Sequence, residues 1–120
     1  MRNRGFGKVD AMAEQVMQPE MNAALDRLWK QFLPQIEERV AALEAAGRDL
    51  AGGELTDDQR ERAQSAAHKL AGVLGTFGLT RGTILAREAE MLCSGDADPA
   101  SAPQLTDIAG QLRALIDGRA

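Results

Sequence analysis

The chain has 120 residues, 44% of them hydrophobic and 27% charged, which is enough for one domain with a packed core. Its net charge of −4 argues against nucleic-acid binding as the main function, and no apolar segment is long enough to span a membrane or resembles a signal peptide. With one cysteine and one histidine, neither an internal disulfide nor a structural zinc site is expected, and a reducing cytoplasm is the expected location.

The scarcity of aromatic residues indicates the fold class. Trp29 and three phenylalanines are present, with no tyrosine, so the core has to be built mainly from Leu, Ala, Ile, Val and Met. Such a core suits helices that pack closely through small residues, whereas a β-sandwich needs more β-branched and aromatic side chains. The composition therefore predicts an all-α protein.

The N-terminal segment is predicted to lie outside the main domain. Residues 1–17 are interpreted as a tail or a short extra helix, because apolar residues recur at helical spacing from Val9 to Met17. The main domain is predicted to cover residues 18–120.

A first long helix is predicted after Pro19, where apolar residues recur in steps of three and four as far as Leu43. Pro34 interrupts this series. Because proline lacks a backbone N–H, we expect it to kink the helix or to divide it near Phe32. The glycines at 52 and 53 are predicted to end this section.

Thr56 and Gln59 mark the start of a second long helix. The Thr56 side chain can accept a hydrogen bond from the backbone of Gln59, and the Gln59 side chain can reach back to the backbone of Thr56, which is a capping box. The helix is predicted to run to about Phe77. Gly78 can then adopt the left-handed conformation that often follows a helix end.

Two further helices are predicted, one from about Thr80 to Cys93 and one from Ser101 or Ala102 to Gly118. A polar loop with two prolines separates them. Four main helices joined by short loops predict an antiparallel four-helix bundle, preceded by the short extra N-terminal helix.

His68, the one histidine of the chain, is the candidate reactive residue. On a helical wheel with about 100° per residue, the core-facing stripe that contains Leu70 and Leu74 is centred roughly 150° away from it. The imidazole is therefore expected to point toward solvent. A neutral imidazole is a good nucleophile toward phosphorus, and the N–P bond it forms is labile, which suits a group that is passed on.

Gly72 and Gly75 lie within about 40° of His68 on the same wheel. A glycine inside a helix costs about 1 kcal/mol relative to alanine, and neither glycine is at a helix end. We interpret them as clearing space beside the imidazole so that another protein can approach it. The alternative is an ordinary surface histidine, with glycines that permit a close helix–helix contact.

About a quarter of the chain resembles the histidine-containing phosphotransfer (HPt) domain. The resemblance is carried by AHKLAG at residues 67–72, by LGTFGL at 74–79 and, in the next helix, by Leu85-Ala86 and Ala89-Glu90. It implies a four-helix bundle that carries a phosphoryl group on His68, with Gly72 making room for the ring. It also implies that the partners are receiver domains of response regulators, which bring Mg²⁺, and that the chain needs no cofactor of its own.

The sequence departs from the family pattern near the histidine. Many members have a lysine three residues after the histidine, where this chain has Ala71. Lys69 is the nearest cation, about 100° round the helix, and its flexible stem could reach a phosphoryl group; otherwise it is a solvated surface lysine. In similar domains a polar residue of the third helix holds the imidazole. The corresponding Glu90 would also repel the phosphoryl group, and a plain surface carboxylate is the alternative.

The main hypothesis is that the protein is a monomeric phosphoryl carrier of a two-component phosphorelay and is not itself an enzyme. Its expected partners are receiver domains and a hybrid sensor kinase. The absent lysine at position 71 motivates a second hypothesis, a non-catalytic helical module that binds a receiver or kinase without efficient transfer. A third is a kinase-derived phosphoacceptor module that works with a separate catalytic domain. Glycine-rich nucleotide loops are absent, so we expect no ATP binding.

Overall fold

The computed structural model describes residues 4–119, with side chains described for residues 18–119. Over that range the chain is helical, with no strand, which confirms the predicted all-α class. Within residues 4–119, no helix combines the length and the apolar character needed to cross a membrane. The described part of the chain has four α-helices, which are α1 (Arg4–Ala51), α2 (Asp57–Thr76), α3 (Thr80–Leu92) and α4 (Ala102–Arg119). A 3₁₀ turn at Pro99–Ser101 precedes α4.

Helix α1 is continuous from Arg4 to Ala51, so neither the separate short N-terminal helix nor a division near Phe32 is present. The other alternative, a kink at Pro34, stays a prediction. Pro34 removes one backbone hydrogen bond, but Ile36, Val40 and Leu43 in the next turns are completely buried, and their burial sustains the helix beyond the proline. The side chains of Val9 to Met17 lie outside the described residues.

The chain divides into two compact units, residues 1–33 and 34–120. The boundary predicted after residue 17 stays a prediction. Within the second unit, all four helices contribute buried apolar side chains at the predicted helical spacing, which include Ile36, Val40, Leu43, Leu70, Leu74, Leu85, Ala89, Leu105, Ile108, Leu112 and Ile116.

Both ends of α2 are set by hydrogen bonds that the sequence predicts. Gln59 N–H donates to Thr56 Oγ1 at 3.1 Å and Thr56 N–H donates to Gln59 Oε1 at 2.9 Å, which confirms the capping box. At the other end, Gly78 has a φ of 74°, and the next N–H, from Leu79, donates to the carbonyl of Leu74 at 2.9 Å. This is the Schellman arrangement, and it confirms the left-handed conformation expected at Gly78.

Helices α2 and α3 approach each other closely through small residues. A Cβ atom placed on Gly82 would lie 2.9 Å from Cδ1 of the buried Leu74, and Thr83 Oγ1 donates a hydrogen bond to the Ala71 carbonyl at 2.9 Å. Arg60 of α2 donates to the carbonyl of Cys93, just after α3, at 2.7 Å. These contacts fix the register in which α3 lies along α2.

We expect Gly78→Ala to lower the free energy of unfolding by about 1–2 kcal/mol, because alanine is strained in the left-handed region. Gly110→Ala is the matched control. Gly110 lies inside α4 with open space around its Cβ position, so alanine there should raise stability by about 1 kcal/mol. Urea unfolding followed by circular dichroism measures both, and equal stability of Gly78→Ala and the parent chain would contradict the φ assignment.

Candidate functional site

The imidazole of His68 projects into solvent from the middle of α2. Its side chain is 74% exposed, whereas Leu70 and Leu74 on the other side of the helix are completely buried. The amphipathic pattern of α2 therefore places the ring where another protein can reach it.

Glu90 of α3 holds one side of this ring. Its Oε2 atom lies 2.9 Å from His68 Nδ1, and the Glu90 side chain is 30% exposed. A carboxylate can accept but not donate a hydrogen bond, so Nδ1 carries the proton in this contact. In the neutral ring the lone pair is then on Nε2, the nitrogen that Glu90 does not contact.

The two glycines beside His68 have different surroundings. Among the described residues, no heavy atom outside the local helix backbone lies within 4 Å of a Cβ placed on Gly72, whereas a Cβ on Gly75 would lie 3.2 Å from Thr83 Oγ1. Close packing within the chain therefore accounts for Gly75 and does not account for Gly72. What Gly72 keeps clear is the solvent-facing space beside the ring.

A shallow cleft surrounds the ring between α2 and α3. It is lined by His68, Ala71, Gly72, Arg87 and Glu90. Lys69 is exposed but does not line this cleft.

The sequence patterns around His68 did not identify Arg87 as a site residue. The signal that could have found it is its position on α3, one helical turn before Glu90, because residues three apart lie on neighbouring parts of one helix face.

Other reactive groups lie away from this cleft. Cys93 is buried, and burial raises the pKa of its thiol, while the nearby Arg60 charge partly opposes that shift. Among the residues that the structure describes, no group of three or more His, Cys, Asp and Glu side chains is arranged to hold a metal ion. The chemistry of the site therefore centres on His68.

Comparison with known proteins gives one family and one relative. The family described as Hpt domain matches residues 27–118. Protein RcaC of Microchaete diplosiphon is 36% identical over 102 residues, which cover 83% of this chain and 16% of RcaC. The chain thus spans less than a fifth of the length of that relative. No solved structure matches the chain.

We expect NMR of the neutral ring, recorded in alkaline buffer with ¹⁵N-labelled histidine, to show the proton on Nδ1 of His68. Glu90→Gln should keep this tautomer, because the glutamine carbonyl oxygen can also accept a hydrogen bond from Nδ1. Glu90→Ala removes the acceptor and should move the proton largely to Nε2. A tautomer that is the same in all three proteins would show that Glu90 does not hold the ring in solution.

Proposed function

Because this chain belongs to the Hpt domain family, we propose that it carries a phosphoryl group on His68 between receiver-domain aspartates of a two-component phosphorelay. The observation that carries the proposal is the orientation of His68. Its Nδ1 is bound to Glu90 while the ring is 74% exposed beside the open position of Gly72. A nucleophilic nitrogen is thereby presented to a partner without obstruction from its own chain.

Transfer to His68 is an in-line displacement at phosphorus. The lone pair of Nε2 forms the new N–P bond, the bond from phosphorus to the aspartyl oxygen of the receiver breaks, and the aspartate leaves as a carboxylate. In the reverse step a receiver carboxylate attacks phosphorus and the electron pair of the N–P bond returns to Nε2. Positioning and charge neutralisation account for most of the catalysis in such reactions.

Glu90 stabilises the phosphorylated ring in this scheme. When Nε2 of the neutral ring forms a bond to phosphorus, Nδ1 keeps its proton and the ring becomes an imidazolium. Its positive charge then lies next to the Glu90 carboxylate, which is 2.9 Å from Nδ1. This attraction offsets the repulsion that a carboxylate exerts on the phosphoryl group, so Glu90 acts as a positioning and charge-stabilising residue.

The other candidate residues have different supporting roles. Gly72 leaves room for the phosphoryl group and for the receiver surface. Gly75 acts indirectly, because its lack of a side chain leaves room for Thr83, whose hydrogen bond to the Ala71 carbonyl helps to hold α3, and with it Glu90, against α2. Lys69 lies outside the cleft and contributes general positive charge to the docking surface.

The partners in this proposal are receiver domains and a hybrid sensor kinase. Ile84 and Met91 of α3 are large apolar side chains with exposed fractions of 48% and 74%, and they lie on the same side of α3 as Arg87, so they are available for docking a receiver. The receiver supplies Mg²⁺, and the chain acts as a carrier without a cofactor. We further propose that the protein is a cytoplasmic monomer and that its helices form an antiparallel four-helix bundle.

The direct test incubates the chain with a phosphorylated receiver domain of the same organism. Wild type should acquire phosphate that is stable in base and labile in acid, and His68→Gln should acquire none. Receiver binding without transfer by wild type would instead support the non-catalytic interaction module. Equal phosphorylation of His68→Gln would contradict the assignment of the acceptor.

Gly72→Ala separates access to the ring from folding. Alanine at this open position should stabilise the helix by about 1 kcal/mol and yet slow transfer from the receiver by about tenfold or more, because its methyl group lies where the partner approaches. Gly110→Ala makes the same chemical change on α4 and should leave the transfer rate at the wild-type value. Stopped reactions with radiolabelled phosphate measure both rates, and equal rates for the two variants would show that Gly72 is not needed for access.

A further inference from the structure

We infer that Arg87 binds the phosphoryl group on His68 and supplies, from α3, the cation that position 71 of α2 lacks. The inference rests on the proposed function, since it concerns the same histidine. It assigns a phosphoryl-binding role to a residue of the neighbouring helix.

The first observation is location. Arg87 lines the same cleft as His68 and Gly72, so its side chain is next to the space that we propose for a phosphoryl group on Nε2. Lys69, the cation next to His68 in the sequence, does not line this cleft.

The second observation is the register of the two helices. His68 contacts Glu90, and a Cβ placed on Gly75 would lie next to Thr83, so higher residue numbers on α2 face lower residue numbers on α3. Position 71 is three residues after His68, and Arg87 is three residues before Glu90. The same register therefore places Arg87 opposite position 71. Ala71 itself is 5% exposed, and its carbonyl accepts the hydrogen bond from Thr83. Because position 71 is a buried alanine, a cation that lines the cleft next to this position has to come from α3.

The third observation is that the guanidinium is available. Among the described residues, Arg87 has no hydrogen bond or ion pair, and Glu90, one turn further along α3, uses its Oε2 to bind the imidazole. A planar guanidinium with several N–H donors matches phosphate oxygens well. In the phosphorylated site, the Glu90 carboxylate thus neutralises the positive ring, and the Arg87 guanidinium neutralises the negative phosphoryl oxygens.

A test without any partner protein uses potassium phosphoramidate as the phosphoryl donor. Nε2 of His68 attacks phosphorus, the N–P bond of the donor breaks, and ammonia leaves with that electron pair. Phosphorus NMR follows the loading of wild type, Arg87→Gln, Arg87→Lys and the matched control Arg48→Gln, which changes an exposed arginine of α1 that does not line the cleft. We expect about tenfold slower loading for Arg87→Gln, most of the rate retained by Arg87→Lys, and a wild-type rate for Arg48→Gln.

Two further readouts separate phosphoryl binding from a structural role. Added KCl should slow wild type more than Arg87→Gln, because salt screens the attraction between the guanidinium and the donor anion. Loading should also shift the Nε–H resonance of Arg87 in wild type. Equal loading rates for Arg87→Gln and wild type, or equal slowing by Arg48→Gln, would overturn the inference. If wild type acquires no phosphate on His68 at all, the proposed function fails instead.

Discussion

The close approach of α2 and α3 is the constraint on which the site depends. His68, the proposed phosphoryl acceptor, is on one helix, and Glu90, whose carboxylate contacts its ring, is on the other, 22 residues later in the sequence. They meet because Gly82 lets the side chain of Leu74 lie against the α3 backbone and because Thr83 is hydrogen-bonded to the Ala71 carbonyl. A displacement of one residue along this contact would turn Glu90 away from the ring, since neighbouring residues point about 100° apart on a helix.

This division between two helices decides how much of the structure could be predicted. Features that depend on nearby residues could be found in the sequence, such as the capping box at Thr56 and the left-handed Gly78, because each involves only one helix end. The exposure of His68 follows from the apolar period of α2 in the same way. In contrast, the contact of Glu90 with His68 and the position of Arg87 depend on the relative placement of two helices, which the period of either helix alone does not specify. Glu90 was identified only through the family resemblance, and Arg87 was not identified.

The continuity of α1 shows that one of the two local alternatives, a division of the helix near Phe32, was wrong. A proline in a helix interior costs one hydrogen bond and about 3 kcal/mol, which favours a break when the surrounding residues contribute nothing. Ile36 and Val40, which follow Pro34 closely, are completely buried. Burial of two such side chains contributes roughly 3–6 kcal/mol, so tertiary packing outweighs the local preference. The different surroundings of Gly72 and Gly75 likewise could not be read from α2 alone. A Cβ on Gly75 would lie close to Thr83 of α3, and a Cβ on Gly72 would not.

The empty surroundings of Gly72 also have a consequence for how sequences of this kind change under selection. Laboratory evolution for heat resistance alone would readily accept alanine at this position, because no atom of the described residues opposes it. Under the role that we propose for Gly72, selection for signalling would remove the same variants. A copy of the protein that keeps the fold but no longer relays phosphate would then be free to lose the glycine at position 72, while it retains those at 78 and 82.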